Sequence, residues 1–313
     1  MRTPADQAAD PRGKWVKGLA HWREGDVAFI SVAFTWMLRE AAKVADYYWQ
    51  TGCVRVRAGG PGLFALQHKV KSGRHFLSGK VELGGEVPDA VSRHNPLATK
   101  ASDGCVEDCS FCIVPAMAGR TFTLLPEFPV RPVLTDNNLS GLPIEYQDFI
   151  IERYLGHGVR IADANSGFEP KSFDEECYRR WAVINDGPWR FGYDEIREAD
   201  QAHAVMRMLR KNGVPSKKIR PYVIIGNEPF DACMERILKT IENGGEPHVQ
   251  PYMKLNAEKR EPHARFDWTV QKLRDVARWA NTRQWRQRTF AEYDRTARKS
   301  LRDHYRARDG LFI

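Results

Sequence analysis

Residues 104–115, Gly-Cys-Val-Glu-Asp-Cys-Ser-Phe-Cys-Ile-Val-Pro, place Cys105, Cys109 and Cys112 within eight residues, in the spacing C-x3-C-x2-C. Half of the six cysteines of the 313-residue chain sit there. The others, Cys53, Cys177 and Cys233, are scattered, and the last two fall in segments that read as helices. A structural zinc site normally takes four ligands, often as two close Cys pairs, and only Cys109 and Cys112 form such a pair. A redox C-x-x-C has no use for Cys105. A 4Fe-4S cluster held by three thiolates uses all three and leaves one iron open to a further molecule.

Outward from the loop, the sequence alternates in a regular way. Short β-rich runs are expected at 96–102, 131–139, 159–167, 189–195, 219–229 and 248–255. Between them lie amphipathic segments, such as IEYQDFIIERYLGHG and FDACMERILKTIENGG, with apolar residues at helical spacing. Strands alternating with helices predict a parallel sheet with right-handed crossovers. Six such units suit a partial (β/α)6 barrel of the TIM type over residues 96–275, in preference to an open doubly wound sheet. Upstream, DVAFISVAFT (26–35) reads as a buried strand, WMLREAAKVADYYWQTG as a helix stopped by Gly52, and CVRVRAGGPGLF as a second strand entering a Gly-Pro turn. That is a small Rossmann-like β-α-β unit over 15–95. Residues 1–14 read as a flexible tail, and 276–313 as a basic helical extension. The expected class is therefore α/β.

The composition fits a protein with a substantial core: 42% hydrophobic and 28% charged. No apolar run reaches the length of a membrane span, and the N-terminus has no secretory h-region. A cytoplasmic location is expected, where cysteines are thiols or metal ligands. Net charge is +8, and residues 281–313 carry nine Arg or Lys against four Asp or Glu. Such an end attracts phosphates or is simply a solvated helix face. Trp285, Phe290, Tyr293 and Tyr305 interleave with these arginines, either to stack on exposed bases or to pack on the domain.

The C-x3-C-x2-C loop after the first barrel strand, with Phe111 just before the third cysteine, resembles the radical S-adenosylmethionine (SAM) superfamily. The resemblance covers roughly 96–275. It implies that Cys105, Cys109 and Cys112 ligate a 4Fe-4S cluster whose open iron takes the amino and carboxylate groups of SAM. Reductive cleavage of SAM then gives a 5′-deoxyadenosyl radical that removes a hydrogen atom from a substrate. It also implies an electron donor such as flavodoxin or ferredoxin. The strand ends become the expected SAM and substrate contacts. These are Thr135, Asp136, Asn137 and Asn138 after the second strand, and Asp163, Asn165 and Ser166 after the third. Tyr193, Asp194 and Glu195 follow the fourth, Ile225, Gly226, Asn227 and Glu228 the fifth, and Gln250 and Tyr252 the sixth. The Gly-Gly-Glu that the family often carries after the second strand is replaced here by Thr-Asp-Asn-Asn. For each residue the alternative is a helix cap or a satisfied strand-end polar group.

ISVAFTW…VRVRAGGP also resembles the cobalamin-binding unit that precedes some of these barrels. The Asp-x-His-x-x-Gly motif of such units is missing, and His68, His75 and His94 lack its spacing, so no cobalamin is expected. CIVPAMAGR is similar to the start of the methylthiotransferase barrel. Those enzymes need three further N-terminal cysteines, and only Cys53 precedes the loop. The compact size and basic end resemble bacteriophage members that rearrange modified thymine bases in DNA. The expected substrate is thus a nucleic-acid base or nucleotide, with a peptide or small metabolite as the alternative. A non-enzymatic iron–sulfur or zinc protein is the reading from a different class.

Overall fold

The computed structural model describes residues 15–83, 87–165 and 167–294. The expected tail at 1–14 and the end of the chain from 295, including Tyr305, lie outside them. The chain divides into two units: residues 1–190 with 254–261, and residues 191–253 with 262–313. Among the described residues no helix is long and apolar enough to cross a membrane.

The first unit begins with a hairpin. β1 (Leu19–Glu24) and β2 (Val27–Val32) pair antiparallel through Gly25, whose φ of 61° suits a tight two-residue loop. The predicted helix follows at Leu38–Gln50. Its Leu38, Ala41, Ala42, Ala45 and Tyr48 form one buried stripe, and Gly52 at φ 84° closes it. β3 (Arg55–Gly59) and β4 (Glu82–Leu83) then extend the sheet in the order β1-β2-β3-β4, with β2, β3 and β4 parallel. The β-α-β unit is present as read. β1 was not expected, because four of its six residues are buried without the β-branched signature of a strand. Its Ala20 and Trp22 join Phe29 in a small cluster of their own, while Leu19 faces the helix-side core.

Three further strands in this unit are short and parallel: β5 (Ala98–Thr99), β8 (Val133–Leu134) and β9 (Asp163–Ala164), in the order β5-β8-β9. β6 (Ser102–Asp103) and β7 (Thr123–Leu124) form a separate antiparallel pair. Helices Ile144–Gly156 and Glu175–Ala182 stand where the periodicity put them. They are joined inside by Gln147, whose Oε1 accepts from Trp181 Nε1 at 2.9 Å.

The second unit carries the sheet β10-β11-β12, and the boundary between units runs through β10 (Trp189–Gly192). β11 (Ile219–Ile225) alternates buried and half-buried residues, and β12 (His248–Pro251) pairs with it in parallel. Helices Ala199–Lys211, Phe230–Glu242 and Val270–Asn281 complete the series. Val223, Ile225, Val249, Ile237, Leu273, Val276 and Trp279 form the core. All six expected strands exist, but as two three-stranded sheets, one for each half of the series. The aromatics of the basic end turn inward: Tyr293 is buried in this core, and Trp285 and Phe290 pack against it.

A buried histidine links structure to pH in the first unit. His94 Nε2 lies 3.0 Å from Ser31 Oγ, and burial lowers its pKa below the usual value near 6.5, with Ser31 acting in the opposite sense. The unfolded chain then binds the proton first, so stability is full above that value and falls as pH drops below it. Denaturant unfolding at about pH 7.5 and about pH 5.5 should show this loss. His94→Gln should show a smaller pH dependence than the parent chain.

Candidate active site

The cysteine loop spans the gap between β6 and β7, whose pairing of Ser102 with Leu124 and Asp103 with Thr123 closes its base. Gly104 opens the loop at φ 80°, and a Cβ there would stand 2.0 Å from the Thr121 carbonyl oxygen. Only glycine meets both demands. Within the loop, the Cys112 amide donates to the Cys109 carbonyl at 3.0 Å. The Glu107 amide points at Cys105 Sγ (3.5 Å), and the Val114 amide at Cys112 Sγ (3.4 Å). Cys105 is buried, and Cys109, Phe111 and Cys112 are half-buried. Burial pushes the Cys105 thiol pKa up, and the Glu107 amide opposes this. Among the described residues, no three His, Cys, Asp or Glu side chains already stand as a metal ion would require.

The four residues after β8 each hold a different point of this loop's approach. Thr135 ties β8 to β5, its amide and hydroxyl both donating to the Thr99 carbonyl. Asp136 is fully buried. Its carboxylate accepts from the Ala101 amide at 3.0 Å, the Ser102 amide, and the Ser102 hydroxyl at 2.6 Å. Burial drives its pKa up, while those donors and Lys100 pull it down. Asn137 Nδ2 donates to the Gly104 carbonyl at 2.9 Å. Asn138 is buried beside Cys105. Further along the sheet, Asp163 is held by both nitrogens of the Arg190 fork, at 2.6 and 3.0 Å. The Asn165 amide donates to the Leu134 carbonyl, and Ser166 lies outside the described residues.

In the second unit, the expected residues gather around a side chain that the sequence reading passed over. Arg236 is fully buried in the helix Phe230–Glu242. It donates to the carbonyls of Tyr193 and Ile224, each at 2.8 Å, and its Nε lies 3.0 Å from the Glu228 carboxylate. Glu228 also accepts from the Ile196 amide. Asp194 takes the Ile224 amide on its side chain and Asn227 Nδ2 on its carbonyl. The Glu195 amide donates to the Glu198 carboxylate at 3.0 Å, which caps the next helix, while the Glu195 side chain pairs with Arg197. Burial raises the Tyr193 hydroxyl pKa to about 12, and that hydroxyl lies 3.2 Å from His203 Nε2. Ile225 is core. Gly226 takes φ 91° against Leu273. Gln250 is exposed, and the Tyr252 ring stands beside His263. The signal for Arg236 was available: Cys233, Arg236, Ile237 and Thr240 occupy one helical stripe, and that stripe is the buried one.

The expected site residues thus form two groups. One surrounds the cysteine loop and the other surrounds Arg236, while Asp163, Gln250 and Tyr252 belong to neither. Most of them satisfy backbone groups where the strands stop pairing. Removal of Arg236 by Arg236→Ala would leave the Tyr193 and Ile224 carbonyls without donors and Glu228 without its cation. The expected cost is about 3–5 kcal/mol in denaturant unfolding, the range for breaking one side of a buried ion pair. Arg236→Lys should recover only part of it, because an ammonium lacks the fork that reaches both carbonyls.

No protein-family model matches the chain, and no curated protein matches it either. Its fold is similar to solved structures of the radical SAM methyltransferase TsrM from Kitasatospora setae. One has cobalamin and a 4Fe-4S cluster bound: TM-score 0.52, 13% identity, 75% of this chain and 67% of that one covered. Another has its tryptophan substrate and the SAM analogue aza-SAM bound: TM-score 0.52, 13% identity, 75% of this chain and 65% of that one covered. The expectation of no cobalamin is corrected by this likeness, since a protein of similar fold is seen with that cofactor and a 4Fe-4S cluster bound. The inference had rested on a missing histidine motif. A motif supplies one axial bond, whereas a large cofactor is held over much of its surface, so a missing motif does not by itself argue against the cofactor. The chain is a mixed α/β protein similar in fold to a radical SAM enzyme.

Proposed function

We propose that this protein is a radical SAM enzyme, with Cys105, Cys109 and Cys112 as the three ligands of a single 4Fe-4S cluster. The observation that carries the reading is the loop itself. Three cysteines lie within eight residues of the loop between β6 and β7, backbone amides point at two of the sulfurs, and the loop follows the first strand of a parallel sheet. Amide donors directed at sulfur suit thiolates bound to iron, whose charge they offset. When bound, the cluster and SAM supply a radical able to remove a hydrogen atom from carbon.

The chain's own residues do the holding. Asp136 and Asn137 fix the backbone on which Gly104 and Cys105 stand. Arg236 fixes the strand ends that carry Asp194, Asn227 and Glu228 in the second unit. Cys177, whose thiol burial raises to about 12, is poorly suited to ligation, and Cys53 and Cys233 are buried in the cores. The sheet β2-β3-β4 is the natural place for a corrinoid, given the cobalamin in the matched structure. Phe34, 45% exposed and stacked on Trp36 at the carboxyl end of β2, offers it an apolar face. A small-molecule substrate is preferred over a nucleic-acid base. Trp285, Phe290 and Tyr293, the aromatics that would stack on bases, belong to the core of the second unit.

Anaerobic reconstitution with iron and sulfide tests the proposal. The parent chain should take up about four irons and, after reduction, release 5′-deoxyadenosine from SAM. Alanine at Cys105, Cys109 or Cys112 should abolish both signals, and alanine at Cys53, Cys177 or Cys233 should leave the cluster intact. A full cluster in any of the first three variants overturns the ligand assignment. Tight zinc binding with SAM left whole overturns the reading itself. Addition of cobalamin should shift its visible spectrum if the N-terminal sheet holds it.

A further inference from the structure

One buried donor near the cysteine loop has nothing to bind. Asn138 is 3% exposed, and its Nδ2 has no hydrogen-bond partner among the described residues. The orientation of the amide is fixed by its other end: Oδ1 accepts from the Gly141 amide at 2.8 Å and from the Ser140 hydroxyl at 3.3 Å. Nδ2 therefore cannot trade places with the oxygen without losing the Gly141 bond and setting two N–H donors against each other. Gly141 has no room to spare on this side, since a Cβ there would stand 2.6 Å from Nδ2. Asn137, the preceding residue, already donates to the Gly104 carbonyl, so this end of β8 abuts the residue before Cys105. The Asn138 side chain lies beside the Cys105 sulfur, and its Nδ2 stops short of hydrogen-bond geometry to it. An unpaired buried donor destabilises the fold, so its persistence needs a reason.

We infer that Asn138 is a positioning residue for the cluster, its Nδ2–H completing a hydrogen bond to Cys105 Sγ once that sulfur is a metal-bound thiolate and so setting the reduction potential. This rests on the reading of Cys105 as a cluster ligand. A thiol sulfur is a weak acceptor, and a thiolate is a strong one. The reduced cluster carries one more negative charge than the oxidised one, so a donor on its ligand stabilises the reduced form more. Asn138 then makes the electron easier to accept, and Gly141 is kept small so that the amide can stand there.

Redox titration of the reconstituted protein, followed by electron paramagnetic resonance, reads this directly. Asn138→Ala should shift the potential to more negative values with the iron content unchanged. Asn138→Asp, which keeps the shape and replaces the donor with an acceptor, should shift it further the same way. Gly141→Ala displaces the amide without altering residue 138 and should also move the potential. A purely structural Asn138 would change unfolding and leave the potential of the surviving loaded protein where it was. Unchanged potentials in Asn138→Ala and Gly141→Ala overturn the inference. If the Asn138 variants do not load iron, Gly141→Ala alone decides, a shift supporting the inference and its absence overturning it. A parent chain that takes up no cluster overturns this inference together with the function it rests on, whereas a loaded parent with unmoved variants overturns the inference only.

Discussion

A carboxylate with no exposed surface holds the approach to the cysteine loop. Asp136 accepts three donors from Ala101 and Ser102, just after β5, and is itself fixed by its place at the end of β8. β5 and β8 are only two residues long each, so their ladder alone gives little rigidity. The charge-assisted bonds of Asp136 replace ladder bonds that the backbone would lose where the strands part. Through Ser102 they fix β6, through β6 the base of the loop, and through Asn137 the carbonyl of Gly104. The position of Cys105 follows from this chain of contacts. A buried carboxylate is a costly fixture, and its expense is met by having all its partners in place.

The second unit solves the same problem with the opposite charge. β10 ends at Gly192 and β11 at Ile225, and near these ends the Tyr193 and Ile224 carbonyls accept from a side chain. Arg236 reaches up from the following helix and takes both, with Glu228 balancing its charge. Both devices place a rigid, hydrogen-bonded group beneath the loops that leave the strand ends, so those loops are ordered without help from a ligand.

The basic end shows why net charge alone does not define a binding surface. Arg283 and Arg286 converge with Arg220 on Glu246, whose side chain is only 3% exposed, and Arg288 bonds to Gln284. These cations anchor the segment after the last helix to the bottom of β11 and β12. With Trp285, Phe290 and Tyr293 packed inward, the described part of this segment is built as a buttress. Its interleaved aromatics and arginines have the composition of a nucleic-acid binder because both uses need flat apolar rings beside fixed positive charge.

The sequence by itself determined the series of strands and helices. Apolar periodicity is a local property, and it placed β2, β3, β5 and β8 to β12 with their intervening helices near their observed positions. It also determined the three-cysteine loop, because the spacing of three cysteines within eight residues is written in the sequence itself. β1 escaped notice because its strand character comes from pairing with β2 and from faces buried on both sides. The roles of the strand-end residues were decided only by the tertiary structure. Asp136, Asp163 and Asp194 look alike in sequence, as acids after strands. Their partners are the Ala101 and Ser102 amides, Arg190 and the Ile224 amide, which come from segments distant in the chain. Arg236 reads as a surface arginine until the helix is docked, since burial of a charge is set by what surrounds it. Asn138 likewise becomes notable only when Ser140, Gly141 and Cys105 are brought against it and leave one of its two ends unpaired.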